Sequence, residues 1–195
     1  MIILDTEMTG LNPERNSLVS IAALDFNDPD DRFYGECRIW EGAEINDEAL
    51  VINGLTHEEL VDETRKSESD MVQNFIEWAL AKKDLTVAGQ NPSKDVAFIN
   101  TALKRAGRKE SLPYRTFDQH TLAIAHHIQN NVPVPLKAER SALDSDEIMK
   151  YVGLPSEPKP HVGINGAIWE FEAIHRLLYG VGKLEEFSQY PVPNY

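Results

Sequence analysis

Apolar and polar positions change rhythm several times along the chain, and each change marks an element. Residues 2–5 and 18–26 are short, β-branched-rich runs that predict two strands. Gly10, Asn12 and Pro13 between them carry turn chemistry. Alternation over 33–40 predicts a third, antiparallel strand. Residues 46–53 predict a short helix capped by Asn46 and ended by Gly54, and Thr56-His57-Glu58-Glu59 is a capping-box pattern opening another. Helical spacing of Met71, Phe75, Ile76 and Leu80 predicts an amphipathic helix over 67–80. A buried strand over 85–88 follows, broken by Gly89-Gln90-Asn91-Pro92. Helices are expected over 95–106, 119–129, 144–152 and 165–179, with a brief extended piece ending at Phe117-Asp118. Residues 133–137 are expected to be loop and 155–160 a rigid linker. Antiparallel strands followed by strands alternating with helices predict one mixed sheet flanked by helices, an α/β domain. Phe75, Trp78, Phe98 and Phe171 fall at core positions.

Composition narrows the setting. A length of 195 residues suits one domain with a full core. No apolar run reaches membrane-spanning length, and Met1 runs straight into a strand, unlike a signal peptide. Cys37 is the single cysteine, which excludes an internal disulfide framework and a cysteine zinc cluster and suits a reducing cytoplasm. The net charge of −13 excludes a broad basic surface for gripping long duplexes. Basic residues gather only locally, at Lys104-Arg105, Arg108-Lys109, and Lys137 with Arg140. A solvated helix end is the expectation for each, and if the chain acts on nucleic acid the loop near Lys137 and Arg140 is the better candidate for phosphate contact. His126-His127 is expected at the surface.

Against that background the acids at the end of the first strand stand out. Asp5 and Glu7 are two residues apart, so in a strand they point to the same face. Like charges so placed repel unless a cation lies between them. Hard ions such as Mg²⁺ or Mn²⁺ favour such oxygen ligands; an exposed acidic pair is the alternative. Asn91 and Asp95 follow the strand at 85–88, where Asp95 is placed for a third ligand or for helix capping. His161, after a proline-rich stretch, is either packing or a base for a metal-bound water. Thr9-Gly10-Leu11 presents backbone amides and an apolar wedge.

Asp5-Thr6-Glu7-Met8-Thr9-Gly10-Leu11 resembles the first exonuclease motif of the DEDDh branch of the DEDD (DnaQ-like) superfamily, which includes oligoribonuclease and ribonuclease T. Asn91 and Asp95 match the second motif and His161 the third. Leu50-Val51-Ile52-Asn53-Gly54-Leu55-Thr56 resembles the family's helix–turn. The resemblance spans residues 1–180, with 181–195 as a tail packing on or near the same domain. It implies a ribonuclease H-like fold with a mixed five-stranded sheet. It also implies 3′–5′ removal of nucleotides from single-stranded or short DNA or RNA by a two-metal mechanism using Mg²⁺ or Mn²⁺. Asp5, Glu7 and Asp95 would hold the ions and His161 would deprotonate the attacking water. Met8, Thr9, Gly10, Leu11 and Asn91 would contact substrate, Leu11 against the terminal base. Relatives include homodimers, and no membrane partner is implied.

The chain departs from the family twice. Lys94 stands where relatives often carry an aromatic residue, and Gly166 stands where the fourth acid belongs. Glu170 lies one helical turn on, about 6 Å along the axis at ~1.5 Å per residue, and its side chain leans back toward Gly166. Glu170 as a relocated metal ligand is the favoured reading. A slow three-acid enzyme and a catalytically silent module that binds nucleic acid or a protein partner are the others. Glu172 points about 200° away from Glu170 and is the weaker candidate.

Overall fold

The computed structural model describes residues 1–160 and 163–195. Five strands form the central sheet: β1 (Ile2–Met8), β2 (Leu18–Asp25), β3 (Asp28–Glu36), β4 (Val87–Gly89) and β5 (Thr116–Asp118), in the order β3-β2-β1-β4-β5. β1 runs antiparallel to β2 and parallel to β4, and β5 is parallel to β4. The sheet is mixed, as the resemblance implies. The helices are α1 (Asp47–Asn53), α2 (His57–Val61), α3 (Glu68–Leu80), α4 (Pro92–Arg105), α5 (Gln119–Gln129), α6 (Ser145–Tyr151) and α7 (Gly163–Tyr179).

Alternation along β1 divides the core. Ile2 and Leu4 join Phe75, Phe98 and Ile99 of α3 and α4 on one face. Ile3 joins Ala22, Leu24, Phe171 and Ile174 on the face covered by α7. The same alternation carries Asp5 and Glu7 onto the α7 face, where the apolar run stops. Asp5 pairs with Ala22 and Glu7 with Ser20, before a register shift between Glu7 and Met8.

Several boundaries differ from expectation. β1 extends to Met8 rather than ending at residue 5, so Glu7 as well as Asp5 is inside a paired strand. β3 begins at Asp28, not at residue 33, because Asp28-Pro29-Asp30-Asp31 forms an edge strand, where proline and charge are tolerated. α4 begins at Pro92, preset for a first helical turn, so Asp95 lies within the helix and is no cap. Residues 133–137 are not all loop: Leu136–Lys137 (β6) pairs with Arg140–Ser141 (β7) as a hairpin.

Two surface expectations are also corrected. His127 is buried and stacks on Tyr151 at 3.8 Å, with Nδ1 3.1 Å from the Pro133 carbonyl. Arg105 is not a solvated helix end: it donates to both carboxylate oxygens of buried Glu68 at 2.9 and 3.0 Å. Phe75, Phe98 and Phe171 are fully buried, while Trp78 is partly buried against the first core. Beyond α7, Leu184 and Phe187 are buried in the second core.

Candidate active site

Four carboxylates reach the carboxyl end of β1 from three elements. Asp5 and Glu7 come from the strand, Asp95 from α4 and Glu170 from α7. Thr6, on the opposite face of β1, donates its hydroxyl to Asp95 Oδ1 at 2.6 Å, which ties α4 to the strand beneath the pair.

Two glycines make room for this meeting. A Cβ at Gly166 would lie 2.1 Å from Asp5 Oδ2, so α7 can approach Asp5 this closely only without a side chain there. A Cβ at Gly89 would lie 2.8 Å from Glu170 Oε2. The Glu170 carboxylate therefore rests on the end of β4, next to Asp5. Glu170 is 6% exposed, and its Oε2 has no hydrogen-bond partner.

Burial is the largest cause of a raised pKa at each of the four. Asp5 is lifted well above its ordinary value by burial and then by the charges of Asp95, Glu7 and Glu157. Burial, then Asp5 and Asp95, raise Glu170, while the Gln90 N–H counters them in part. Glu7 is pushed up to about 8 by burial, Glu157 and Asp95, against the lowering charge of Lys94. Asp95 rises to about 6, held back by the Thr6 hydroxyl and by Lys94. The lysine that replaces the family's aromatic residue is thus a nearby countercharge.

Glu157 is a fifth acid, and reading the sequence missed it. It lies in the segment taken as a linker, which is held at both ends. Trp169 Nε1 donates to the Pro155 carbonyl at 2.9 Å, and Pro160 sits against Gly54. An acid set between prolines next to His161 was the available signal. His161 itself lies outside the described residues.

The remaining expected residues are placed as follows. Leu11 is 76% exposed, an apolar side chain projecting beyond β1. Met8 is buried, and its carbonyl accepts from Asn53 Nδ2 at 3.1 Å, fastening α1 to the motif. Thr9 is buried, and its hydroxyl donates to the Glu44 carbonyl and accepts from the Ser17 N–H, which fastens the turn after β1. Gly10 is buried behind Leu11. Asn91 takes a left-handed conformation, makes no side-chain cap, and its N–H donates to Asp118 Oδ1. Glu172 is fully buried on another face of α7, where it pairs with Arg176.

No group of three or more His, Cys, Asp or Glu among the described residues stands as a ready metal shell. The donor chemistry nevertheless fits a hard divalent ion. The ligands are carboxylate oxygens, they repel one another, and one buried oxygen has no partner.

The mixed sheet, with acids from β1, α4 and α7 at one end, has the ribonuclease H-like architecture of exonucleases. Escherichia coli exonuclease I in complex with a dT13 oligonucleotide superposes with a TM-score of 0.69 at 12% identity, over 90% of this chain and 40% of that one. Cell-death related nuclease 4 gives 0.69 at 15% identity, over 93% and 64%. The chain belongs to the exonuclease (RNase_T) family, whose model matches residues 2–164. Ribonuclease T of Actinobacillus pleuropneumoniae is 28% identical over 136 residues, and that of Haemophilus influenzae 27% over 137 residues. These matches take in 63% of this chain and 62% and 59% of those proteins, so the chain spans about three fifths of the curated relatives' length.

Proposed function

We propose that this chain is a divalent-metal-dependent 3′–5′ exonuclease that releases nucleotides from single-stranded or short DNA or RNA. The observation that carries the reading is the buried, unpartnered Glu170 oxygen among the like charges of Asp5 and Asp95. A cluster of this kind is costly as a structural device and inexpensive as a cation site. Family membership and similarity to ribonuclease T support nuclease chemistry. The exonuclease I likeness, in a complex with an oligonucleotide, supports a single-stranded substrate.

In this mechanism Asp5, Glu7, Asp95 and Glu170 would hold two Mg²⁺ or Mn²⁺ ions, with Glu170 in place of the acid missing at Gly166. Bound ions of this type activate water and stabilise the leaving oxygen in phosphodiester hydrolysis. Thr6 and Lys94 keep Asp95 in its ionised, ligating form. Leu11 wedges against the terminal base, and Met8, Gly10 and Asn91 line its approach. His161 takes the proton of the attacking water, a role it receives from the family motif. The burial of lone Cys37 suits a reducing cytoplasm. No helix among the described residues is long and apolar enough to cross a membrane.

The deciding experiment uses oligonucleotides labelled at either end, with Mg²⁺ or Mn²⁺. Mononucleotide should appear first from the 3′ label, and Asp5→Asn should lower the rate at least a hundredfold. Hydrolysis that survives Asp5→Asn would place the chemistry elsewhere. Oligonucleotide binding without hydrolysis or metal affinity would identify a silent binding module.

A further inference from the structure

The β6–β7 hairpin is built against its own stability. Its two connecting residues, Ala138 and Glu139, have φ of 49° and 62°. Such turns favour Asn-Gly, because other residues resist the left-handed region. The residues flanking the turn, Lys137 and Arg140, are direct cross-strand partners. Two like charges directly opposite destabilise a ladder. Unfavourable local features kept together at a surface point to a ligand that relieves them.

A ligand suited to two cations is an anion. Arg15, Arg32, Arg65, Arg105, Arg108 and Arg176 each pair with a carboxylate. Lys137 and Arg140, like Arg115 and several lysines, take part in no ion pair among the described residues, but these two stand directly opposite each other across a turn. Both are exposed and both line one cavity of about 530 Å³. His120 Nε2, 2.9 Å from Ser141 Oγ, pins the hairpin to α5. Asp144 at the rim is occupied with the Glu147 N–H.

The cavity adjoins the acid cluster. Gln90 and Asn91 line it, and the Gln90 N–H bonds Glu170. It lies beyond the ends of β4 and β5, whereas Leu11 and α1 lie on the β1–β2 side. A strand crossing the cluster with its terminal base at Leu11 would therefore continue into this cavity.

We propose that Lys137 and Arg140 clamp the phosphodiester backbone of single-stranded nucleic acid on the 5′ side of the scissile bond. This rests on the exonuclease reading for the polarity of the strand. Paired cations on a short hairpin suit a phosphate, and an arginine fork meets two of its oxygens.

The test is the double variant Lys137→Ala/Arg140→Ala in the full chain. Two substrates are compared: a ten-nucleotide single strand and the p-nitrophenyl ester of thymidine 5′-monophosphate, which has no upstream phosphate. KM for the strand should rise about tenfold, and hydrolysis of the ester should be unchanged. The slope of log binding constant against log salt should shrink by about 1.4 for two lost contacts. Unchanged strand KM and salt slope would overturn the clamp. If the unaltered protein hydrolyses neither substrate, the exonuclease reading fails instead. Fluorescence anisotropy with the same strand then decides the clamp: weaker, less salt-sensitive binding by the variant supports it, and identical binding overturns it.

Discussion

Glu170 and Glu172 stand two residues apart on α7, both hidden from solvent, in opposite circumstances. Glu172 accepts from Arg176 Nε at 2.8 Å and from the Lys183 and Leu184 N–H groups at 2.9 Å each. Arg176 spends its other donors on the Val152, Phe187 and Tyr190 carbonyls. Every charge there has its opposite, and the network joins α7 to α6 and to the C-terminal segment. Glu170 faces Asp5 and Asp95, with one backbone N–H in its favour. One acid is a structural joint. The other is held in place by surrounding packing despite its neighbours, which is what the proposed ligand role requires and a support does not.

The largest effect that would break this contrast is at Glu172. Replacing it by Ala should destabilise the chain by about 3–5 kcal/mol in urea unfolding, since Arg176 is left buried and unpaired. Glu170→Gln should act in the opposite direction. At pH 8 without metal it should stabilise by on the order of 1–2 kcal/mol, because one of several crowded charges is gone. It should also remove most of the stabilisation that Mn²⁺ gives the unaltered protein. Equal destabilisation by the two variants would make Glu170 another structural acid.

A smaller and less intuitive effect is expected at Gly166. Placing an acid there with Gly166→Asp should not improve the proposed hydrolysis. Its Cβ would sit 2.1 Å from Asp5 Oδ2, a short side chain with little freedom to yield. Displacing Asp5 or α7 should cost about 1–3 kcal/mol and lower oligonucleotide hydrolysis at least tenfold. A gain in rate would show that Gly166 is a lost ligand and that Glu170 does not replace it.

The same residues show what a sequence exposes and what it hides. The apolar rhythm of β1, the Asn46 and Thr56 caps and most of the α3 stripe are local, and the structure has them where periodicity and cap chemistry put them; Leu80, expected on that stripe, is exposed at the helix end, and Ala79 takes the buried position. Asp5 and Glu7 were legible because strand alternation alone places them side by side. Glu157 was not, because its proximity depends on two distant anchors, Trp169 and Gly54, that fix a segment without periodicity. Arg105 and Glu68, 37 residues apart, hid for the same reason. β3 was misplaced because an edge strand accepts Pro29 and three aspartates that would disqualify a central one. The Lys137–Arg140 hairpin read as loop because its turn residues are those a hairpin avoids.

The gentlest test of the contrast varies pH alone. An acid whose pKa is raised by folding binds its proton more tightly in the folded state, so stability falls as pH climbs toward the folded pKa. Glu7, at about 8, is the group that acts between pH 6.5 and 8.0, with Asp5 and Glu170 shifted the same way. Asp84, lowered to about 2, has its effect far below this window. His126, lowered by burial, has finished its opposing contribution by about pH 6.5. Metal-free protein should therefore lose about 2 kcal/mol between pH 6.5 and 8.0 for each proton retained over that interval. Saturating Mn²⁺ at pH 8.0 should more than restore it, since an ion at a hundred times its Kd adds about 2.7 kcal/mol. A flat metal-free profile that Mn²⁺ leaves unmoved would mean that the four carboxylates of β1, α4 and α7 do not form one electrostatic unit.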